Sequence, residues 1–174
     1  MLAAAAIAAA AFIVSQYAKN PQRPGRADDP GAFDAVFVER VVDGDTLKLA
    51  SGERVRLIGI DTPEMHESEK LYRDSKRSGQ DAATIKALGK RSWQFTRNLV
   101  EGKAVRLEFD VEKRDKYKRL LAYVYLPDGT FVNAEIIRQG YASVMTYPPN
   151  VKHADEFLKL YRRARDTKLG LWKE

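Results

Sequence analysis

Hydrophobic and polar residues change their spacing several times along this chain, and each change marks an element. Residues 2–14 form an apolar run rich in alanine. Residues 20–31 are polar and broken by three prolines and two glycines. From Ala35 the spacing becomes short and alternating. Ala35–Val38, Thr46–Leu49 and Arg54–Ile60 are strand-like runs, separated by Asp43-Gly44 and Ser51-Gly52. Alternation of this kind lets a strand bury one face. Asp-Gly suits a tight turn because both residues tolerate positive φ. These three runs predict an antiparallel meander.

Asp81 to Val100 shifts to helical spacing, with Ile85, Leu88, Phe95 and Leu99 on one stripe. Gly102 follows as a stop. Val105–Phe109 and Leu121–Tyr125 return to strand character, and Pro127-Asp128-Gly129 makes a turn. Val132–Gln139 suits a short helix closed by Gly140. A last helix is expected from about Val151 to Lys168, with Ala154, Phe157, Leu158 and Tyr161 facing inward. The charged segment from His66 to Gly79 receives no element, and the chain has no internal repeat.

Three strands, a helix, two strands and further helices describe an α+β domain. Its centre is a five-stranded OB-fold β-barrel carrying about three packed α-helices, since such a small closed sheet needs few residues. The folded domain is expected over residues 33–174, preceded by a polar Pro/Gly linker at 20–32. Residues 1–19 read as a cleaved signal peptide or an N-terminal membrane anchor. The apolar run falls short of the roughly 20 residues of a membrane span. It has no basic n-region, and Ser15-Gln16-Tyr17-Ala18 matches a cleavage site poorly. An alanine-rich helix packed on the domain is the remaining alternative. The expectation is a protein secreted or anchored outside the cytoplasm, acting as a monomer.

Composition narrows the function. Of 174 residues, 44% are hydrophobic and 10% aromatic, which suits a packed core. A net charge of +6 favours anionic partners, either nucleic acid or an anionic membrane surface. The absence of cysteine excludes disulfides, thiolate metal sites and cysteine catalysis. His66 and His153 lie far apart without companions at zinc-ligand spacing, and read as surface residues.

The chemistry concentrates in two stretches. Asp45 and Asp61 are carboxylates suited to a hard cation such as Ca2+, and the Thr62 carbonyl can join them. Asp43 reads as a turn residue. Pro63 holds Thr62 extended, so Glu64 leaves the strand in a defined direction. A carboxylate there can orient an attacking water or accept its proton. Arg56 and Arg119 each offer a planar fork of donors for phosphate oxygens. Lys116, Tyr117 and Tyr147 add a cation and rings for a terminal phosphate and a base. One conflict stands: on a regular strand residues 56 and 61 face opposite ways. A bulge at Gly59 or an exit at Thr62-Pro63 would each remove it.

At these positions the chain resembles the staphylococcal nuclease (thermonuclease) family. The resemblance is carried by VVDGDTLKL at 41–49, VRLIGIDTPE at 55–64, DKYKRLLAYVY at 115–125 and VNAEIIRQGYASV at 132–144. It extends over roughly residues 35–172. It implies an OB-fold barrel and calcium-dependent hydrolysis of DNA and RNA. A metal-activated water attacks phosphorus, the 5′-oxygen leaves, and 3′-phosphate ends remain. It also implies Asp45, Asp61 and Thr62 as calcium ligands, Glu64 as base or water-orienting residue, and Arg56 and Arg119 as phosphate clamps. Lys116 and Tyr117 match positions that hold a terminal phosphate. Lys118 stands where a glycine is often seen. The stretch 144–150 is shorter than in the best-known member, which separates Tyr147 from a firm match. Segment 66–79 aligns poorly and is expected to modify substrate access. Two rival readings are a non-catalytic OB-fold module that binds nucleic acid or protein, and a membrane-tethered scaffold.

Overall fold

The alternating runs become strands β1 (Val36–Asp43), β2 (Thr46–Leu49) and β3 (Arg54–Leu57). The computed structural model describes residues 33–173. The expected signal or anchor at 1–19 and the linker at 20–32 lie outside the described residues. β1 pairs antiparallel with β2, and β2 with β3. After β5 (Ala104–Glu108), β6 (Leu120–Tyr125) runs parallel to β3 with Leu120 opposite Val55. β5 closes onto β1, giving the closed barrel β1-β2-β3-β6-β5. This is the α+β OB-fold barrel that the pattern implied. Alternate residues fill it, among them Leu47, Leu49, Val55, Leu57, Leu120, Ala122 and Val124. Phe33 is tied to this barrel: its carbonyl accepts from Leu107 N–H at 2.8 Å, and its ring meets Phe109 edge-on.

The third run departs from expectation. It breaks at Ile58, and β4 (Gly59–Asp61) leaves the barrel. β4 pairs instead with β7 (Ser143–Met145) in a separate two-stranded sheet. Gly59 makes the break possible, with φ of +81°. The Phe157 ring also fills the space a Cβ at 59 would need, 2.5 Å away. Buried Asn133 fixes the break from inside. Its Nδ2 donates to the Ile58 carbonyl and its Oδ1 accepts from Val124 N–H, both at 2.9 Å.

Four α-helices pack around these sheets among the described residues: α1 (Glu69–Ser78), α2 (Ala82–Val100), α3 (Val132–Arg138) and α4 (Ala154–Asp166). The addition to the expected set is α1, in the segment left without an element. Ser68 caps it by accepting from Leu71 N–H at 3.1 Å, and Gly79 closes it with a left-handed φ of 73°. Only Leu71 of this helix is buried, so no apolar stripe announces it.

α2 buries Ile85, Gly89, Ser92, Thr96 and Val100. The predicted Leu88, Phe95 and Leu99 flank this line, half-buried. The inner line is partly polar because it serves the barrel. Ser92 Oγ donates to the Tyr141 carbonyl at 2.7 Å, and Thr96 Oγ1 to the Gly44 carbonyl at 2.8 Å. On α4, Phe157 and Ala164 are buried, whereas Leu158, expected inward, is 38% exposed. It stands one position beyond Phe157, about 100° round the helix. His153 is also not a surface residue: it sits half-buried against Tyr123 and Phe131 at 4.6 and 4.8 Å. His66 is exposed. No described helix is long and apolar enough to cross a membrane.

Candidate active site

The site begins at the β1–β2 turn, where Asp45 is 5% exposed. Its Oδ2 accepts from Thr62 N–H at 3.0 Å and from Thr62 Oγ1 at 3.2 Å. The turn is thereby locked to the end of β4. Gly44 allows this contact, since any Cβ there would meet the Thr62 side chain at 2.7 Å.

Arg56 reaches in from β3. Its Nη2 lies 3.1 Å from Asp45 Oδ2 and 3.2 Å from Asp61 Oδ1. Its Nη1 donates to the carbonyls of Leu57 and Ile60 at 3.0 and 2.8 Å. The break at Gly59 wraps β4 around the guanidinium, so residues 56 and 61 meet after all. Both terminal nitrogens are engaged by protein oxygens, which makes Arg56 the brace of the two carboxylates.

Beyond Thr62 the chain crosses α2. Gly89 provides the room, because a Cβ there would lie 2.6 Å from the Glu64 carbonyl. Gly→Ala inside a helix ordinarily gains about 1 kcal/mol. Here overpacking against fixed backbone is expected to dominate, so Gly89→Ala should destabilise the fold by about 1–3 kcal/mol. Urea unfolding checks this; a variant as stable as the parent would show that segment 63–64 moves freely.

Lys70, on α1, was not singled out by the sequence. Its Nζ lies 2.9 Å from Asp61 Oδ1, 3.2 Å from the Thr62 carbonyl oxygen and 3.0 Å from Glu64 Oε1. Glu64 Oε2 also accepts from Ser68 Oγ at 3.2 Å. Both oxygens of Glu64 therefore have partners on or beside α1. Ser68 and Gly79 mark the ends of this helix in the sequence, and neither reveals where Lys70 points.

These contacts set the charges. Burial, and next to it the Asp45 carboxylate, push Asp43 up to about 7. Burial would also raise Asp45, but Arg56 and the hydrogen bonds from its neighbours outweigh it and hold Asp45 below the usual range. Asp61 is raised, because burial exceeds the relief given by Lys70 and Arg56. Burial opposes the Lys70 ammonium, yet Asp61 and Glu64 outweigh it and raise Lys70 above an ordinary lysine.

Arg119 belongs to the loop before β6. Asp115 orients it: Oδ2 accepts from Arg119 Nε at 2.7 Å, and Oδ1 accepts from the N–H groups of Tyr117 and Arg119 at 2.9 and 3.0 Å. Lys118 takes a left-handed φ of 64°, which accounts for the glycine often seen there. Arg119 does not contact Asp45, Asp61 or Glu64. It joins the site through a cleft of about 470 Å³, whose lining includes Arg56, Lys116, Tyr117 and Tyr147. Tyr117 and Tyr147 are largely exposed at its edge. Asn150 ties the two walls together: its Oδ1 accepts from Glu112 N–H at 2.8 Å and its Nδ2 donates to the Glu112 carbonyl at 2.9 Å. The sequence assigned no role to Asp115 or Asn150: Asp115 serves two backbone N–H groups besides Arg119 Nε, and Asn150 serves the backbone of Glu112.

A profile of the family described as staphylococcal nuclease homologue matches residues 54–174. The chain belongs to the staphylococcal nuclease family. A thermonuclease of Staphylococcus intermedius is 36% identical over 142 residues, covering 80% of this chain and 76% of that protein. A thermonuclease of Staphylococcus hyicus is 31% identical over 138 residues, covering 78% and 73%. The SPbeta prophage-derived endonuclease YokF of Bacillus subtilis (strain 168) is 38% identical over 142 residues, covering 79% of this chain and 43% of that protein.

For a staphylococcal nuclease domain, the question is whether these oxygens suit a metal ion. Among the described residues, no three His, Asp or Glu side chains form a ready-made metal cage. The donors are two carboxylates and one carbonyl, all hard oxygens of the kind that calcium and magnesium prefer. They already converge on positive centres: Asp45 and Asp61 on Arg56 Nη2, and Asp61 and the Thr62 carbonyl on Lys70 Nζ. The donor set thus fits a hard cation, whose remaining positions would fall to water and phosphate.

Proposed function

We propose that this chain is a calcium-dependent phosphodiesterase that hydrolyses DNA, RNA or both and leaves 3′-phosphate ends. The observation that carries the reading is the convergence of Asp45 and Asp61 on Arg56, with Thr62 bonded to Asp45, beside a cleft lined by Arg56 and Arg119. Relatives named thermonuclease and endonuclease support it.

In this reading Asp45, Asp61 and the Thr62 carbonyl hold the ion. A bound calcium supplies Lewis acidity toward phosphate oxygen and lowers the pKa of water. Glu64 orients the attacking water or takes its proton. Water adds to phosphorus, the P–O5′ bond breaks with the 5′-oxygen taking a proton from solvent, and the phosphate stays on the 3′-oxygen. Arg119 meets the charge that develops on the phosphate. Its terminal nitrogens have no hydrogen-bond partner among the described residues, so they can accept that task. Arg56 aligns the carboxylates and adds its remaining donor. Lys116 binds a terminal phosphate, while Tyr117 and Tyr147 stack on a base. The protein acts as a monomer, secreted or anchored outside the cytoplasm. N-terminal sequencing of the mature form tests whether the apolar start is cleaved.

The deciding experiment incubates the full chain with DNA and with RNA, in calcium or in a chelator. Cleavage in calcium, a loss of about 10²-fold or more on chelation, and 3′-phosphate ends are expected. Cleavage undiminished by the chelator would remove the metal. Binding without cleavage in calcium would favour the non-catalytic OB-fold module.

A further inference from the structure

We propose that Lys70 is a resident counter-ion of the acidic site, which must withdraw before a divalent cation can bind. This deepens the calcium reading above and rests on it. The three protons of an ammonium each need an acceptor. Lys70 finds three in one place: Asp61 Oδ1, the Thr62 carbonyl and Glu64 Oε1. The first two are the oxygens assigned to the ion, and the third belongs to the residue assigned to the water. One side chain therefore occupies two ligands and the base together. A divalent ion drawn to those oxygens would sit within a few ångströms of the ammonium, so the two positive charges repel and compete for one small acidic site.

The surroundings permit withdrawal. Lys70 sits in the first turn of α1, whose sole buried residue is Leu71. The lysine stem is long and the side chain is 26% exposed, so solvent lies within reach of a rotamer change. The other contacts of this region do not engage Lys70: Ser68 Oγ donates to Glu64 Oε2, Tyr72 Oη donates to Glu67 Oε2, and Lys86 pairs with Glu67. Departure of Lys70 does two things at once. It opens the oxygens of Asp61 and Thr62, and it releases Glu64 from its ion pair. Ion capture and freeing of the catalytic carboxylate become one event, and α1 sets the ion concentration at which that event occurs.

Calcium binding measured by titration calorimetry, at fixed pH and ionic strength, tests this on the full chain. Lys70→Met should bind calcium about tenfold more tightly than the parent. Lys70→Arg, which keeps the charge, should not. Asp45→Asn should abolish the heat in both backgrounds, tying it to this site. Equal or weaker affinity in Lys70→Met would overturn the proposal while leaving the calcium reading intact. Absence of calcium binding in parent and variant alike would overturn both. Side-chain NMR of Lys70 in the unmodified protein gives an independent reading should Lys70→Met fail to fold. Its terminal methylene and ammonium signals should move toward those of a solvated lysine once calcium is added. Unchanged Lys70 signals at saturating calcium would count against Lys70 moving.

Discussion

Glu64→Gln is expected to lower kcat by about 10²–10⁴ while nucleic-acid binding changes little. Glutamine keeps the shape of the side chain and can still accept from Ser68 Oγ, which lies 3.2 Å from Glu64 Oε2. It cannot take a proton from water. It also gives Lys70 a neutral partner in place of the carboxylate 3.0 Å away. Single-turnover cleavage and fluorescence anisotropy, measured side by side, separate rate from affinity. An ordinary glutamate, with a pKa of about 4.3, is a weak base. A small loss in kcat would therefore assign Glu64 to orienting water. Weakened binding with intact turnover would instead move it to substrate contact.

Arg56→Met should have the second large effect, on both stability and rate. The guanidinium touches four groups: Asp45, Asp61, and the carbonyls of Leu57 and Ile60. Its removal leaves the buried Asp45 and half-buried Asp61 carboxylates facing each other with one cation fewer. Breaking a buried pair in this way costs about 3–5 kcal/mol. Loss of a donor to the reacting phosphate costs about 10²–10³ in rate. Calcium should restore part of the stability, because an ion between the carboxylates relieves their repulsion. Urea unfolding with and without calcium provides the comparison. A midpoint equal to that of the parent would remove Arg56 from its bracing role. Arg56→Lys is not a mild substitute, since one ammonium cannot reach two carboxylates and two carbonyls at once.

The barrel was readable because its strands alternate. Leu47, Leu49, Val55 and Leu57 declare a buried face by spacing alone. The break at Gly59 was open in the sequence and became definite through distant residues. Asn133 and Phe157 hold it, and neither signals that task locally. β7 was invisible for the same reason: three half-buried residues acquire strand geometry only by pairing with β4. α1 escaped because one buried leucine makes no periodic stripe. Its cap at Ser68 marks a start without a face. Lys70 escaped with it, since a lysine in a charged segment looks solvated until the fold turns it inward. Leu158 and His153 show the converse: helical spacing placed Leu158 inward and the lack of ligand companions placed His153 on the surface, whereas neighbouring aromatic rings half-bury His153. Arg56, Asp61, Thr62 and Glu64 were legible as a group because they lie close in sequence. The parts contributed by remote loops, Asp115 and Asn150, were not.

The parallel pairing of β3 with β6 has a consequence for synthesis on the ribosome. Arg56 and the three acidic residues are translated early, but their alignment depends on partners translated much later. β6 fixes the flank of β3, and β7 holds β4 from residues 143–145. Contacts so distant along the chain form late. A half-made polypeptide thus carries most of the candidate site residues without the frame that aims them, and the site takes shape only when translation is nearly complete.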